Sequence, residues 1–241
     1  MPLKLLSWNC DGIAGKMPEL SETIKTLGIQ VLMLNETRTS AAYKIRLRGF
    51  QTEHLRINGV NGGVAVLVRN DVPYNRMHIR TPILKHTEVI AIQFADGTIL
   101  AAVYNSPQKK ITSEELNALF SLGHKVILAG DFNATHANWN CNKNNANGNT
   151  LYKFINDNNV MLHTTYGPTH VPHNGTTPNT LCTQLTGLPT CRTMPHTLPS
   201  DHVALEFHLG ELDARGMSRR VYDYGGFTTT AGPIGYHSDR S

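Results

Sequence analysis

The side chains best suited to chemistry stand at the edges of apolar runs. Asp131 and Asn133 follow the apolar residues 126–129, and Asn9 and Asp11 follow residues 3–8. Glu36 and Arg38 follow residues 29–34, Tyr104 follows residues 98–103, and Asp201-His202 precedes residues 203–208. Carboxylates and amides dominate the set Asn9, Asp11, Glu36, Tyr104, Asp131, Asn133, Asp201 and His202, and no thiol is among them. Hard oxygen donors of this kind suit Mg²⁺ or Mn²⁺ rather than zinc. A His beside an Asp can be held oriented and charged. Together they suit cleavage of a phosphoester by metal-assisted water. Each alone has a plainer use. Gly-Asp-x-Asn and Ser-Asp suit turns, Glu36 suits a solvated strand end, and Tyr104 suits an ordinary aromatic position in a strand. Their recurrence at the ends of apolar runs is what points to chemistry.

Such groups meet at the carboxyl edge of an α/β sheet, where strands deliver their loops side by side. Residues 126–129 predict a buried strand that Gly130 ends, and strand alternation would aim Asp131 and Asn133 the same way. Residues 3–8, a helix over 18–27 spaced by Leu20, Ile24 and Leu27 and stopped by Gly28, then residues 29–34 predict strand, helix, strand. Residues 64–68 are a β-branched strand. Residues 88–94 and 98–103 flank Ala95-Asp96-Gly97, a hairpin signal. Thr112 with Glu115 predicts a capping box. Then follow an Asn-rich loop over 138–147, a short helix over 148–157 and a short strand over 160–163. A long surface loop over 164–180, a weak strand over 181–185 and a last strand over 203–208 complete the pattern. Alternation mixed with hairpins predicts a mixed rather than purely parallel sheet.

With 241 residues, 17% charged and 40% hydrophobic, the chain is long enough to bury a sizeable core and is not a disordered composition. A net charge of +4 is compatible with a polyanionic partner. Its four Cys form no CxxC pair, which predicts reduced thiols in an intracellular protein. The opening apolar run is too short for a signal peptide or membrane span, so no membrane partner is expected. Apolar density falls after residue 209. The expected division is one domain over 1–209 and a linker or partly ordered tail over 210–241.

Five motifs in order, Ser7-Trp8-Asn9-Cys10-Asp11-Gly12, Leu34-Asn35-Glu36-Thr37, Val103-Tyr104-Asn105, Gly130-Asp131-Phe132-Asn133-Ala134 and Ser200-Asp201-His202, resemble those of the endonuclease/exonuclease/phosphatase superfamily. The stretch from Gly130 to Trp139, with Asn145 and Gly148, resembles the apurinic-type endonuclease domain of non-LTR (LINE-type) retrotransposons. The resemblance implies an α/β four-layer sandwich, two mixed β-sheets with helices on the outer faces. It implies that Glu36 and Asn9 hold Mg²⁺ (or Mn²⁺) with help from Asp201. Asp131 would activate water, Asn133 and Tyr104 would contact the phosphate, and His202 would stabilise its developing charge. Asp11 and His136 would be supporting groups. The family's usual Asp that orients the catalytic His is expected where Cys182 stands, and a neutral thiol is a poor substitute as an acceptor.

The expected function is a DNA endonuclease that nicks one strand of double-stranded DNA. The 3′-hydroxyl would prime reverse transcription by another domain of the same polyprotein, with nuclear access to chromosomes and a monomeric isolated domain. Alternatives are an abasic-site repair nuclease, a phosphatase or phosphodiesterase of the same superfamily, and a DNA-binding module with weakened catalysis. DNA would be read by surface loops, here 39–61 and 164–180, with Arg38, Arg46, Arg48, Arg56, Lys109 and Lys110 as candidate phosphate contacts.

Overall fold

The computed structural model describes residues 3–40, 42–55, 62–79, 84–139, 141–163, 169–170, 191–194 and 198–209. Chain order is β1 (Leu3–Asn9), α1 (Met17–Leu27), β2 (Val31–Asn35), β3 (Phe50–Leu55), β4 (Val64–Arg69), β5 (Tyr74–Met77), β6 (Thr87–Phe94) and β7 (Ile99–Asn105). Then come α2 (Ser113–Phe120), β8 (Val126–Asp131), α3 (Ala146–Asn158), β9 (Cys191–Thr193) and β10 (Leu205–Leu209). One sheet has the order β3-β4-β2-β1-β10-β9 and the other β5-β6-β7-β8. β1 runs parallel to β2 and β7 parallel to β8, while the remaining pairs are antiparallel, so both sheets are mixed.

Strand alternation builds the layers. Leu5, Met33, Val66, Ala102, Ala129 and Phe207 face the space between the sheets. Their neighbours Leu6, Leu32 and Leu67 face outward onto Leu20 and Ile24 of α1. On the other sheet Ala101, Val103 and Leu128 face Leu116, Leu119, Leu151 and Phe154 of α2 and α3. The result is helix, sheet, sheet, helix. Full burial of an aliphatic side chain such as Leu20 is worth roughly 1.5–3 kcal/mol, which holds α1 on its sheet more firmly than propensity can.

Local signals explain the element ends. Gly28, at φ 67°, gives its backbone N–H to the carbonyls of Ile24 and Lys25 and closes α1. Thr112 and Glu115 form the reciprocal capping box that opens α2. Gly97, at φ 81°, turns the β6–β7 hairpin.

Several expectations change. Gly130 does not end a strand but lies inside β8, which runs on through Asp131. Asn133 adopts φ 46°, so strand alternation does not set its direction. Residues 160–163 form no strand. The expected loop over 39–61 is not all loop, since β3 occupies residues 50–55, and β5 and β9 carried no clear sequence signal. The proposed strand over 181–185, Arg56, Cys182 and the tail over 210–241 lie outside the described residues.

Candidate active site

Parallel pairing of β1 with β2 and of β7 with β8 sends four strand ends to one edge of the sandwich. They deliver Asn9, Asn35-Glu36, Tyr104-Asn105 and Asp131. β10 pairs antiparallel with β1, Leu205 opposite Ser7, which brings the preceding Ser200-Asp201-His202 to the same edge. Asn35 Nδ2 donates to the Val103 carbonyl at 3.0 Å and ties the two sheets together there.

The side chains converge. Asn9 Nδ2 donates to Glu36 Oε1 at 3.0 Å and to Asp131 Oδ2 at 2.8 Å. The Tyr104 hydroxyl donates to the same Glu36 oxygen at 3.0 Å. Arg38 pairs with the other Glu36 oxygen and with Asp11. Asn133 gives its backbone N–H to Asp131 Oδ1 at 2.9 Å and its Nδ2 to the Asn105 carbonyl at 2.9 Å. Asp11, Glu36, Arg38 and Asn133 all hold positive φ without being glycine. Such conformations cost of order 1–3 kcal/mol each and gather at functional sites.

His202 reaches the cluster through a braced loop. Ser200 Oγ donates to the Asn9 carbonyl at 2.9 Å and accepts the His202 N–H at 3.1 Å. Trp8 Nε1 donates to the His202 carbonyl at 3.2 Å. Burial favours the neutral forms of both partners in the Asp131–His202 pair. It pushes the Asp131 carboxyl up against the opposing pull of His202, and it pushes the His202 imidazole down against the pull of Asp131. Burial also opposes ionisation of Glu36, but hydrogen bonds from Asn9 and Arg38 and the Arg38 charge outweigh it and hold the carboxyl below its ordinary value. Burial, with Glu36 beside it, raises the Tyr104 hydroxyl and keeps it a donor.

The amide-rich loop forms the support. Asn145 Nδ2 donates to the Asn133 carbonyl at 2.8 Å, and its Oδ1 accepts from Gly148 N at 2.7 Å to cap α3. Asn147 Nδ2 donates to the Lys109 carbonyl at 3.0 Å while its Oδ1 accepts from Ile111 N at 3.0 Å. Glu88 accepts the Gly63 N–H at 2.8 Å, and the Gly62 and Gly63 carbonyls in turn accept from Arg38 and Thr37. Glu88 thereby braces the segment that carries Glu36. No sequence motif marked it.

Known proteins share this architecture. Residues 98–206 match the family model described as endonuclease-reverse transcriptase. The chain is 34% identical over 181 residues to "Probable RNA-directed DNA polymerase from transposon X-element" of Drosophila melanogaster, covering 72% of this chain and 20% of that protein. It is 28% identical over 176 residues to the RNA-directed DNA polymerase from mobile element jockey of Drosophila funebris, covering 71% of this chain and 19% of that protein. The endonuclease domain of TRAS1, a telomere-specific non-LTR retrotransposon, superposes with a TM-score of 0.70 at 18% identity, over 87% of this chain and 98% of that one. Residues 98–206 thus carry an endonuclease-reverse transcriptase family domain, and the chain as a whole resembles proteins of transposons and has the fold of a non-LTR retrotransposon endonuclease domain. The chain spans about a fifth of the length of those curated relatives. An AP endonuclease from Leishmania major has the same fold, with a TM-score of 0.67 at 13% identity over 88% of each chain.

The expected site residues do not all meet. Asn9, Glu36, Tyr104 and Asp131 form one hydrogen-bonded cluster, to which Asp11 and Arg38 add an ion pair. Asp201 was expected on the metal with Glu36, but its side-chain contacts are to Ser200, His170 and His202. His136 packs instead among aromatic rings, stacked on Tyr152 with centroids 4.3 Å apart and 5.0 Å from Trp139, so its support is structural. Arg38, expected on DNA, is held by two carboxylates because it follows Glu36 at positive φ and turns back over it. Lys109 and Lys110 are exposed just after β7 at the site's edge, whereas Arg46 and Arg48 are exposed ahead of β3, whose first residue Phe50 pairs with Arg69 at the sheet edge remote from Glu36.

Proposed function

We propose that this domain is a Mg²⁺-dependent DNA endonuclease that nicks one strand and leaves a 3′-hydroxyl to prime reverse transcription. The observation that carries the reading is the Asn9–Glu36–Asp131–Tyr104 cluster beside His202 on the edge of a retrotransposon-type endonuclease fold. The donor set fits the cation: carboxylate and amide oxygens suit a hard ion. Glu36 and Asn9 would hold it. When bound, Mg²⁺ supplies Lewis-acid stabilisation of phosphate oxygen charge. Asp131 orients a water and accepts its proton as the water oxygen attacks phosphorus and the bond to the 3′ oxygen breaks. Tyr104 and Asn133 donate to the phosphate. His202 donates to its developing charge, and Asp201 holds His202 oriented. Lys109 and Lys110 contact flanking phosphates.

The domain boundary after residue 209, fusion to a reverse transcriptase and action in the nucleus complete the proposal. The fusion rests on the relatives' names and lengths, the boundary on the fall in apolar density after residue 209, and the nucleus on the chromosomal DNA proposed as substrate. Supercoiled undamaged plasmid with Mg²⁺ should yield relaxed circles, and a chelator should stop the reaction. Cleavage confined to an abasic oligonucleotide would replace this reading with repair. Binding without nicking would leave only a DNA-binding module.

His202→Asn is expected to lower the nicking rate about 10²–10³-fold, the usual cost of losing a donor to developing charge. Gel-shift affinity on the same preparation should stay within about threefold, because the lost contact strengthens only in the transition state. Equal losses in both would make His202 a binding group.

Arg38 shares Glu36 with any cation bound there. Arg38→Gln is therefore expected to lower the Mg²⁺ concentration for half-maximal nicking about two- to fivefold, since an exposed ion pair is worth up to ~1 kcal/mol. A Mg²⁺ titration at saturating DNA checks it. An unchanged midpoint with weaker DNA binding would return Arg38 to the DNA contacts.

A further inference from the structure

Among the described residues, one group of three His, Cys, Asp or Glu side chains places its ligand atoms all within 4.8 Å of one another: His170, Asp201 and His202. Its chemistry differs from that of the Glu36 cluster. The Glu36 cluster offers oxygen donors, whereas this group offers two imidazoles and one carboxylate. His170 Nε2 lies 3.2 Å from Asp201 Oδ2, and His202 Nε2 lies 3.8 Å from Asp201 Oδ1. Ligand atoms about 2.0–2.1 Å from a tetrahedral zinc ion stand roughly 3.3 Å apart, so these two spacings bracket the one an ion needs. The imidazole rings lie 4.5 Å apart, tilted by 33°.

Backbone pairing fixes the arrangement. His170 and His202 form a β-bridge, and Val203 N donates to the Thr169 carbonyl at 2.8 Å. Ser200 and Trp8 hold the His202 backbone from the other side. Both imidazoles are thus carried on chain that is already paired, and little ordering remains for a ligand to impose. The side chains of His170 and Asp201 are each 24% exposed, which leaves an ion a way in.

We propose that His170, Asp201 and His202 form a second cation site, selective for a borderline transition ion such as Zn²⁺, and that its occupancy inhibits the nuclease. Imidazole with one carboxylate favours zinc, as carboxylate with amide favours magnesium. An ion on His202 Nε2 removes the group assigned above to the phosphate. The inhibitory half therefore rests on the proposed nuclease reading, while the binding half does not.

The 241-residue chain would be titrated with Zn²⁺ against a chromophoric chelator in millimolar Mg²⁺, and separately with Co²⁺ to record the visible band of tetrahedral cobalt. One zinc per chain is expected, retained in Mg²⁺. His170→Gln should weaken it at least ~10-fold, since even the partner behind a ligand is worth 10–100-fold, and should remove the cobalt band. Asp201→Asn serves as the second variant, with circular dichroism confirming that each folds. The zinc midpoint for inhibition of plasmid nicking, scaled to each protein's own zinc-free rate, should rise by the same factor. Zinc affinity unchanged in both folded variants overturns the site. So does zinc displaced by Mg²⁺, which would put the ion on Glu36. Binding that depends on His170 with nicking unaffected overturns the inhibitory half and the role given to His202.

Discussion

Asp131→Asn is expected to cut plasmid nicking at least ~100-fold while leaving the domain folded, because proton acceptance and water positioning are typically worth 10²–10⁴-fold. The carboxyl is buried, receives Asn9 Nδ2 and Asn133 N, and faces His202, so an amide keeps the shape but not the base. A stability signature should accompany the loss. Burial raises the Asp131 carboxyl above its ordinary value of 3.8. A carboxyl raised in the folded state favours folding only below its unfolded value, and that contribution disappears as pH rises through the folded one. The melting temperature of Asp131→Asn relative to the native chain should therefore climb as pH rises above the ordinary carboxylate value. Single-turnover nicking and thermal melts across that rise in pH provide the check. A folded variant that nicks near the native rate would remove Asp131 from the chemistry. A flat melting difference would contradict its buried, raised state.

Gly130→Ala should cost the fold about 3 kcal/mol or more, in the range where overpacking meets backbone strain. Gly130 sits in β8 directly beside Val103 of β7, at φ 148°. A Cβ there would stand 1.9 Å from the Val103 carbonyl oxygen and 2.9 Å from its carbon. Both obstacles are backbone in a central strand pair, so no side chain can swing aside. At 2–4 °C per kcal/mol for a domain of this size, the melting temperature should drop by roughly 6–12 °C. Any folded fraction should nick poorly, because the next residue is Asp131. A melting temperature within about 2 °C of the native value would show that β7 and β8 can part at no cost, contrary to their close pairing.

Periodicity and capping are local, and where they were strong the elements followed. The β-branched run of β4, the Asp96-Gly97 hairpin and the Thr112–Glu115 box all formed as their residues dictate. Weak or mixed patterns did not speak. β3 reads Phe-Gln-Thr-Glu-His-Leu and β5 reads Tyr-Asn-Arg-Met, both partly polar, and each is held by pairing with a strand rather than by its own residues. Gly130 looks like a terminator in the sequence because close approach by a neighbouring strand leaves no trace in the local pattern.

The sequence by itself determined the chemistry on offer: oxygen donors at the ends of buried runs, in an order shared with a nuclease superfamily. It did so because ligand hardness and strand-end placement are properties of short stretches. Only the tertiary structure decided which of these groups meet. Two parallel pairings and one antiparallel one brought Asn9, Glu36, Tyr104, Asp131 and His202 to one edge from positions up to 193 residues apart. The same packing turned Arg38 onto Glu36, sent His136 into an aromatic stack and set His170 beside Asp201. These contacts depend on left-handed turns, sheet registry and loop closure across the sandwich, whose energies reside in pairs of distant residues and in no single segment.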